Sequence, residues 1–365
     1  MGEQRVRILV VGANASQGMY GNQLLDDSLL SNLVETYVTF YDRKVVEPKP
    51  HLPHVVKGVQ QKRVVFVNTF PSNQYFDVVV IAVSSEQHVP ALRETLDKLA
   101  ELPRLLVLEK PLGVSAADLE WYRSVSNQLQ PLTVVNEPYH FMNSMAELLV
   151  LAKAKPLAEV NVWASKKRRM ANNHGGLKVF AIEFPHLHGA ASRFAGQVLG
   201  VADCHVNEYY RDVQGTPNND GNFAWFTVGG VAYTVAQGLG SFVMDRYGSM
   251  RANDNPPRTR KIRLTHVDGS YVELDIESAF PTRDSQQVKG GELYFYDANH
   301  NVEHIRIVPD DPRRSFAEFI LQRAIEPRTP ILDDVSLLNA LARNQAILEL
   351  RSAATEITGE HIPSV

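Results

Sequence analysis

One cysteine, Cys204, is all that 365 residues carry, which excludes an internal disulfide and any cysteine-based zinc centre. No apolar run approaches the roughly 18–20 residues of a bilayer-crossing helix. Charge of one sign is lacking too. Lys and Arg number 37 against 41 Asp and Glu, a formal net charge of −4, so the basic footprint of a general nucleic-acid binder is missing. The opening Met1-Gly2-Glu3-Gln4-Arg5-Val6 holds no apolar signal region, and Val6 stands where a myristoylation signal needs Ser or Thr. Internal repeats and low-complexity tracts do not stand out. These absences set the expectation of a cytoplasmic, reduced protein with neither nucleic-acid nor membrane partners.

What is present suits packed cores. Hydrophobic residues make up 44% and charged residues 21%, which argues against disorder. At about 100–200 residues per domain the length predicts two domains. In the first third, apolar β-branched runs at 5–11, 35–41, 77–83, 105–108 and 132–135 read as buried parallel strands. Helical stretches at 18–30, 88–99 and 115–128 separate several of them, the signature of a doubly wound sheet. After Asp42, Pro48, Pro50 and Pro53 predict an irregular excursion instead of a long helix.

From about Pro138 the texture changes. A helix at 143–154 leads into strand-like runs at 158–164, 223–235, 261–266, 271–276, 292–296 and 302–307, which predict a mostly antiparallel, open sheet. The last segment, 333–356, reads as a helix burying Leu337, Leu338, Leu341 and Leu348. The expected boundaries are 1–137 for an α/β nucleotide-binding-type domain and 138–365 for an α+β domain of substrate binding and oligomerisation. The final helix is expected to return to the first domain.

Chemistry-bearing stretches sit at the ends of the predicted strands. The run from Gly12 through Asn14, Ala15, Ser16, Gln17 and Gly18 to Gly21 follows the first strand and opens the first helix. Glycine belongs there because a pyrophosphate must approach N–H groups at a helix start. The spacing is nearer G-x-x-G-x-x-G with Ala15 at the middle position than G-x-G-x-x-G, and a structural turn is the alternative. Asp42 ends the second strand, where an acid would bond the adenosine ribose and repel a 2′-phosphate; Arg43 and Lys44, next to it, would instead hold that phosphate. NAD and NADP both remain open. Val83, Ser84, Ser85 and His88 stand at the end of a later strand, lining the cofactor or capping the next helix. Glu109-Lys110-Pro111 follows the apolar run 105–108, and Pro111 is a candidate for a cis bond.

In order, the glycine-bearing turn, Ala-Val-Ser-Ser-x-x-His, Glu109-Lys110-Pro111 and the β-rich second half resemble the Gfo/Idh/MocA oxidoreductase family, which includes glucose–fructose oxidoreductase and inositol dehydrogenase. The resemblance extends to Phe316-Ala317-Glu318-Phe319-Ile320 and to 340–356. It implies a Rossmann doubly wound sheet followed by an α+β domain, and an NAD(P)-dependent dehydrogenase or reductase acting on CH–OH groups of a sugar, cyclitol or similar small molecule. Homodimers or homotetramers are expected, since an open antiparallel sheet leaves a face needing cover.

By position, Lys110 matches the family lysine that contacts substrate and assists proton transfer. The resemblance places the acid/base histidine at His186, with His188 as second candidate. The family's aspartate position holds Ile182, and Glu183 lies one residue away. Asn136 through Phe141 resembles the domain junction, with His140 where arginine is frequent and with Tyr139 and His140 facing substrate or serving as hinge packing. The case for an imidazole and an ammonium is independent of the name: hydride transfer at a carbinol carbon needs a proton transfer at oxygen. In Lys166-Lys167-Arg168-Arg169 alternate residues share a strand face, so Lys166 with Arg168, or Lys167 with Arg169, would hold a substrate phosphate or carboxylate; a solvated surface is the alternative. His186 and His188, like His300 and His304, lack a carboxylate at metal-motif spacing, and no metal is expected. Two other readings stay open. One is a non-catalytic dinucleotide-sensing protein on the same fold, and the other an imine or tetrapyrrole reductase.

Overall fold

The computed structural model describes residues 4–29, 34–166, 184–195, 205–207, 210–211, 217–218, 226–228, 231–239, 259–276, 290–353 and 355–357. The chain divides into two compact units, Met1–Pro138 with Arg313–Asn344, and Tyr139–Pro312 with Gln345–Val365. Among the described residues no helix is long and apolar enough to cross a membrane.

The first unit is built on six strands: β1 (Gln4–Val11), β2 (Val34–Tyr41), β3 (Val64–Val67), β4 (Val78–Ile81), β5 (Leu105–Leu108) and β6 (Thr133–Val135). Their order is β3-β2-β1-β4-β5-β6 and every pairing is parallel. Every residue of β4, β5 and β6 is buried, which is why these strands read as unbroken apolar runs. Strand order reverses between β1 and β4, and in such sheets the ligand crevice opens at the carboxyl ends of those strands. Helices His88–Lys98 and Ala116–Leu129 connect the later strands, the second closed by a Ser115/Asp118 capping box.

The stretch expected to be irregular ends in a helix, and a further strand follows it. Pro53 begins a helix, Pro53–Gln60, because a proline in the first turn has no intrahelical N–H to forfeit. The apolar Val64–Val67 then forms β3, an edge strand that the proline-rich lead-in obscured. Residues 68–77, between β3 and β4, hold no helix.

In the second unit the strands are β7 (Leu157–Lys166), β8 (His205–Asn207), β9 (Tyr210–Arg211), β10 (Pro217–Asn218), β11 (Phe226–Val228), β12 (Val231–Leu239), β13 (Thr259–His266), β14 (Tyr271–Asp275), β15 (Gly291–Tyr296), β16 (Val302–Val308) and β17 (Thr355–Ile357). Seven form one sheet in the order β11-β12-β7-β13-β14-β15-β16, antiparallel except where β12 runs parallel to β7. The single strand expected at 223–235 is thus two antiparallel strands, β11 and β12. Helix Asn143–Ala154 starts on Asp310, whose carboxylate accepts the N–H groups of Asn143 at 2.7 Å and Ser144 at 2.9 Å.

The expected final helix is interrupted. A 3-10 turn, Asp333–Val335, precedes helix Leu337–Ala353, and Thr355–Ile357 is β17, paired with β8. Leu337 and Leu341 are buried as expected, but Leu338 is 46% exposed. The buried stripe runs through 337, 340, 341, 344 and 347, and residue 338 falls beside it.

Candidate functional site

At the end of β1 the chain turns through Gly12 with φ +99, and its N–H bonds the Tyr41 carbonyl at the end of β2 (2.9 Å). A Cβ at Gly12 would stand 2.4 Å from the Ala82 carbonyl oxygen beyond β4, so glycine is required by both conformation and packing. Asp42 lies beside this turn. Its carboxylate accepts the Ala13 N–H at 3.1 Å and the Lys44 N–H at 3.2 Å, tying the end of β2 to the start of the first helix. That helix passes from Ala13–Ser16 into a π-helical turn, Gln17–Asn22. Ser16 donates its hydroxyl to the Gly12 carbonyl, and Asn14 is exposed. Gln17 is fully buried and its amide bonds the backbone of Glu47 and Lys49, so it pins the proline-rich segment. A Cβ at Gly18 would meet open space. The side chain of Ala15 lies outside the described residues.

Arg43 is exposed and pairs with Glu94 of helix His88–Lys98; Glu94 also takes Lys98 at 2.7 Å. These two cations hold the Glu94 carboxyl below the usual carboxylate range.

The loops after β4, β5 and β6 form one hydrogen-bonded assembly. Val83 is half-buried, Ser85 is buried and Ser84 is exposed, leading into the turn Ser85–Gln87 without a side-chain capping bond. The buried His88 ring joins two loops: Nδ1 lies 2.7 Å from the Pro111 carbonyl oxygen and Nε2 lies 3.1 Å from that of Val83. A neutral imidazole has one N–H and donates to one of these carbonyls at a time. Burial pushes the His88 pKa below its ordinary value. The Lys110–Pro111 peptide is cis, and Lys110 is half-buried.

Glu109 Oε1 accepts the Tyr20 hydroxyl at 2.7 Å and the Asn136 amide N–H at 2.7 Å; the same amide nitrogen lies 2.8 Å from the Tyr20 oxygen. Tyr20 is fully buried, and burial beside the Glu109 carboxylate pushes its phenol well above the usual range. Asn136 Oδ1 is buried and has no hydrogen-bond partner among the described residues. Helix Leu337–Ala353 braces two of these loops from behind. Asn344 exchanges two bonds with the backbone of Gly113 (3.3 and 3.1 Å), and Arg343 meets Glu137 at 2.9 Å in a buried ion pair.

In the second unit, Tyr139 is buried with its ring 5.0 Å from the half-buried ring of His186, on helix Phe184–Ala195. The buried Arg260 of β13 places its guanidinium 5.8 Å from the Tyr139 ring centre. His140 is buried, and its carbonyl accepts Arg193 at 3.3 Å. Arg168 and Glu183 lie outside the described residues, as do the side chains of Lys166 and His188.

Tyr20, Glu94, Arg260, Arg343 and Asn344 are members of these clusters that spacing did not single out. Tyr20 stands 89 residues from Glu109, and Asn344 stands 231 from Gly113. No local pattern signals contacts of that range.

No protein-family model matches the chain, and no curated protein sequence matches it. Solved structures do. KijD10, a 3-ketoreductase from Actinomadura kijaniata, in complex with TDP-benzene and NADP in an open conformation, aligns with a TM-score of 0.69 at 13% identity, covering 97% of this chain and 99% of that one. A candidate NADPH-dependent oxidoreductase from Desulfitobacterium hafniense aligns at 0.65 and 12% identity over 96% of both chains. A super-repressor mutant of Gal80p from Saccharomyces cerevisiae aligns at 0.67 and 12% identity over 95% of both. At these identities the likeness establishes the fold: over nearly its whole length this chain is built as KijD10 and Gal80p are.

Proposed function

We propose that the chain is an NAD(P)-dependent oxidoreductase that exchanges hydride between nicotinamide and a hydroxyl- or keto-bearing carbon of a sugar, cyclitol or similar small molecule. One observation carries the reading. Gly12, Asp42, Val83, Ser84, Glu109, Lys110 and Asn136 all lie at the carboxyl ends of parallel strands around the reversal of strand order. The chemistry of these residues fits a dinucleotide. Gly12 brings backbone close to backbone at a helix start, the Gly18 position is open, and the unpartnered Oδ1 of Asn136 calls for a donor such as a carboxamide or ribose hydroxyl. The complexes of KijD10, a 3-ketoreductase, with NADP and TDP-benzene support the cofactor class and chemistry at a keto-bearing carbon.

When bound, nicotinamide supplies the two-electron chemistry. Asp42 is the proposed partner of the adenosine ribose and disfavours a 2′-phosphate, whereas Arg43, paired with Glu94 through one nitrogen, is the proposed contact for such a phosphate. The Lys110 ammonium is the proposed stabiliser of alkoxide charge on the reacting oxygen, and His186, whose ring lies beside that of Tyr139, is the proposed acid or base for its proton. Lys166 and Arg168 remain the proposed contacts for an anionic group on the substrate, with His140, Glu183 and His188 as further substrate contacts.

Fluorescence titration with NADH and NADPH is expected to show binding of at least one. A screen of sugars, nucleotide sugars and cyclitols in both directions is expected to show turnover. Lys110→Met is expected to lower kcat/KM by about 10²–10⁴-fold while the dinucleotide Kd stays within about twofold. Unchanged turnover would remove Lys110 from the reaction. The comparable likeness to a super-repressor mutant of Gal80p, with Ile182 at the position where the resemblance expects aspartate, supports a second reading, a regulatory protein without turnover whose crevice is proposed to sense a dinucleotide. Tight dinucleotide binding with no reaction across the whole screen is the result that would favour it.

A further inference from the structure

The opposite end of the parallel sheet from this crevice holds a pocket of about 250 Å³, lined by Arg5 and Arg7 of β1 and by Lys62 and Arg63 just before β3. Four cations around one pocket are conspicuous in a chain whose net charge is −4. The helix-free connection at 68–77 explains the opening. Register puts Arg7 opposite Tyr37 and Thr39 opposite Val65, so these residues share one face of the sheet, and Val65 stays 49% exposed there. Phe76, from the same connection, supplies an apolar wall.

Charge in the pocket is only half compensated. Arg5 pairs with Glu35 at 3.3 Å and Arg63 with Asp27 at 2.9 Å, while Arg7 and Lys62 make no ion pair among the described residues. Two positive charges are left over. Arg63 is preset, its guanidinium bonded twice to Gln61 Oε1 at 3.0 and 2.7 Å.

Lys62 is held in an unusual place. It adopts φ +60 at the end of helix Pro53–Gln60, where its N–H bonds the Val59 carbonyl at 3.1 Å and the Arg63 N–H bonds that of Gly58 at 2.8 Å. These are the paired bonds of a Schellman turn, whose left-handed position suits glycine and strains any side chain. The strained residue is therefore one of the two uncompensated cations.

We propose that this pocket binds the phosphate of a small phosphate monoester, independently of the dinucleotide crevice. Such a group carries about −1.5 to −2 at neutral pH, which matches the surplus. Guanidinium groups present paired donors to its oxygens. The volume admits a phosphate with a short carbon skeleton and is too small for a dinucleotide.

Calorimetric titration of the full chain with glycerol 3-phosphate, and separately with inorganic phosphate, tests this without any assay of turnover. Saturable binding of glycerol 3-phosphate is expected, with inorganic phosphate weaker. Arg7→Gln is expected to weaken it at least about tenfold. Lys62→Gly is expected to weaken it at least about fivefold while raising Tm, since glycine relieves the turn. Loss of binding alongside a gain in stability is an outcome that a purely structural lysine does not produce. Absence of saturable binding, or binding unchanged in both variants, would overturn the proposal.

Discussion

In the first unit every residue of β4, β5 and β6 is buried, whereas in the second unit the edge strand β16 keeps Val302, Ile305 and Ile307 more than half exposed. A strand covered on both faces offers the rest of the world only its ends. At the carboxyl ends of these strands polar side chains meet in the loops, where Tyr20, Glu109 and Asn136 interlock and His88 bridges two turns. A sheet with one solvated face has area to offer instead, and its polar pairs lie across strands. Glu273 of β14, for example, accepts Lys261 at 2.6 Å and Arg263 at 2.8 Å from neighbouring β13. Precision gathers at the ends of the first sheet, and contact surface spreads over the second.

The largest test of that contrast is Gly12→Ala. A methyl group 2.4 Å from the Ala82 carbonyl, at φ +99, is expected to cost about 3 kcal/mol in urea unfolding and to abolish dinucleotide binding. Stability equal to the parent would mean that the strand-end loops yield, and the contrast would fail.

A smaller effect comes from His88. Burial lowers its pKa in the folded protein below the ordinary 6.5, so the unfolded chain takes up the proton first as pH falls. Stability is expected to drop progressively below pH 6.5 until the folded-state pKa is passed, and to be free of this contribution above it. Unfolding curves from pH 7.5 downward, compared with those of His88→Asn, measure it. An identical slope in both proteins would assign the acid sensitivity elsewhere.

The smallest effect on stability is expected at the open sheet. Ile305→Glu should change the unfolding free energy by less than about 0.5 kcal/mol, because the side chain is 51% exposed. The proposed homodimer or homotetramer would bury this face, so light scattering should show the variant at lower mass than the parent. A parent that is monomeric at micromolar concentration would refute the association.

Much of the first sheet was legible, for a physical reason. Buried parallel strands such as 105–108 leave unbroken apolar runs, and the turn after β1 announces itself by glycine. β3 is not legible because it is an edge strand only partly buried, with Val65 49% exposed, and it follows a proline-rich segment. Helix Pro312–Ile325 was seen only as a short resembling stretch, since its buried Phe316, Ala317, Ile320, Leu321 and Ala324 are interleaved with Arg314, Glu318 and Arg323. Leu338 was expected inside on arc alone, yet one step of about 100° from Leu337 carries it out to solvent.

At the site, the residue types at strand ends were readable and their partners were not. Glu109 with Lys110, Asp42 and Asn136 are polar residues within two positions of the end of apolar strands, a local signal. That Asn136 shares a carboxylate with Tyr20, or that Arg343 meets Glu137, depends on how strands β1, β5 and β6 and the helix Leu337–Ala353 stack. By itself the sequence determined where the chain alternates between strand and helix and which polar groups follow each strand, because hydrophobic burial and turn chemistry act over a few residues. Only the tertiary structure decided which groups share a proton or a charge. Such contacts join residues tens to hundreds of positions apart, and their energies depend on burial that no local window records.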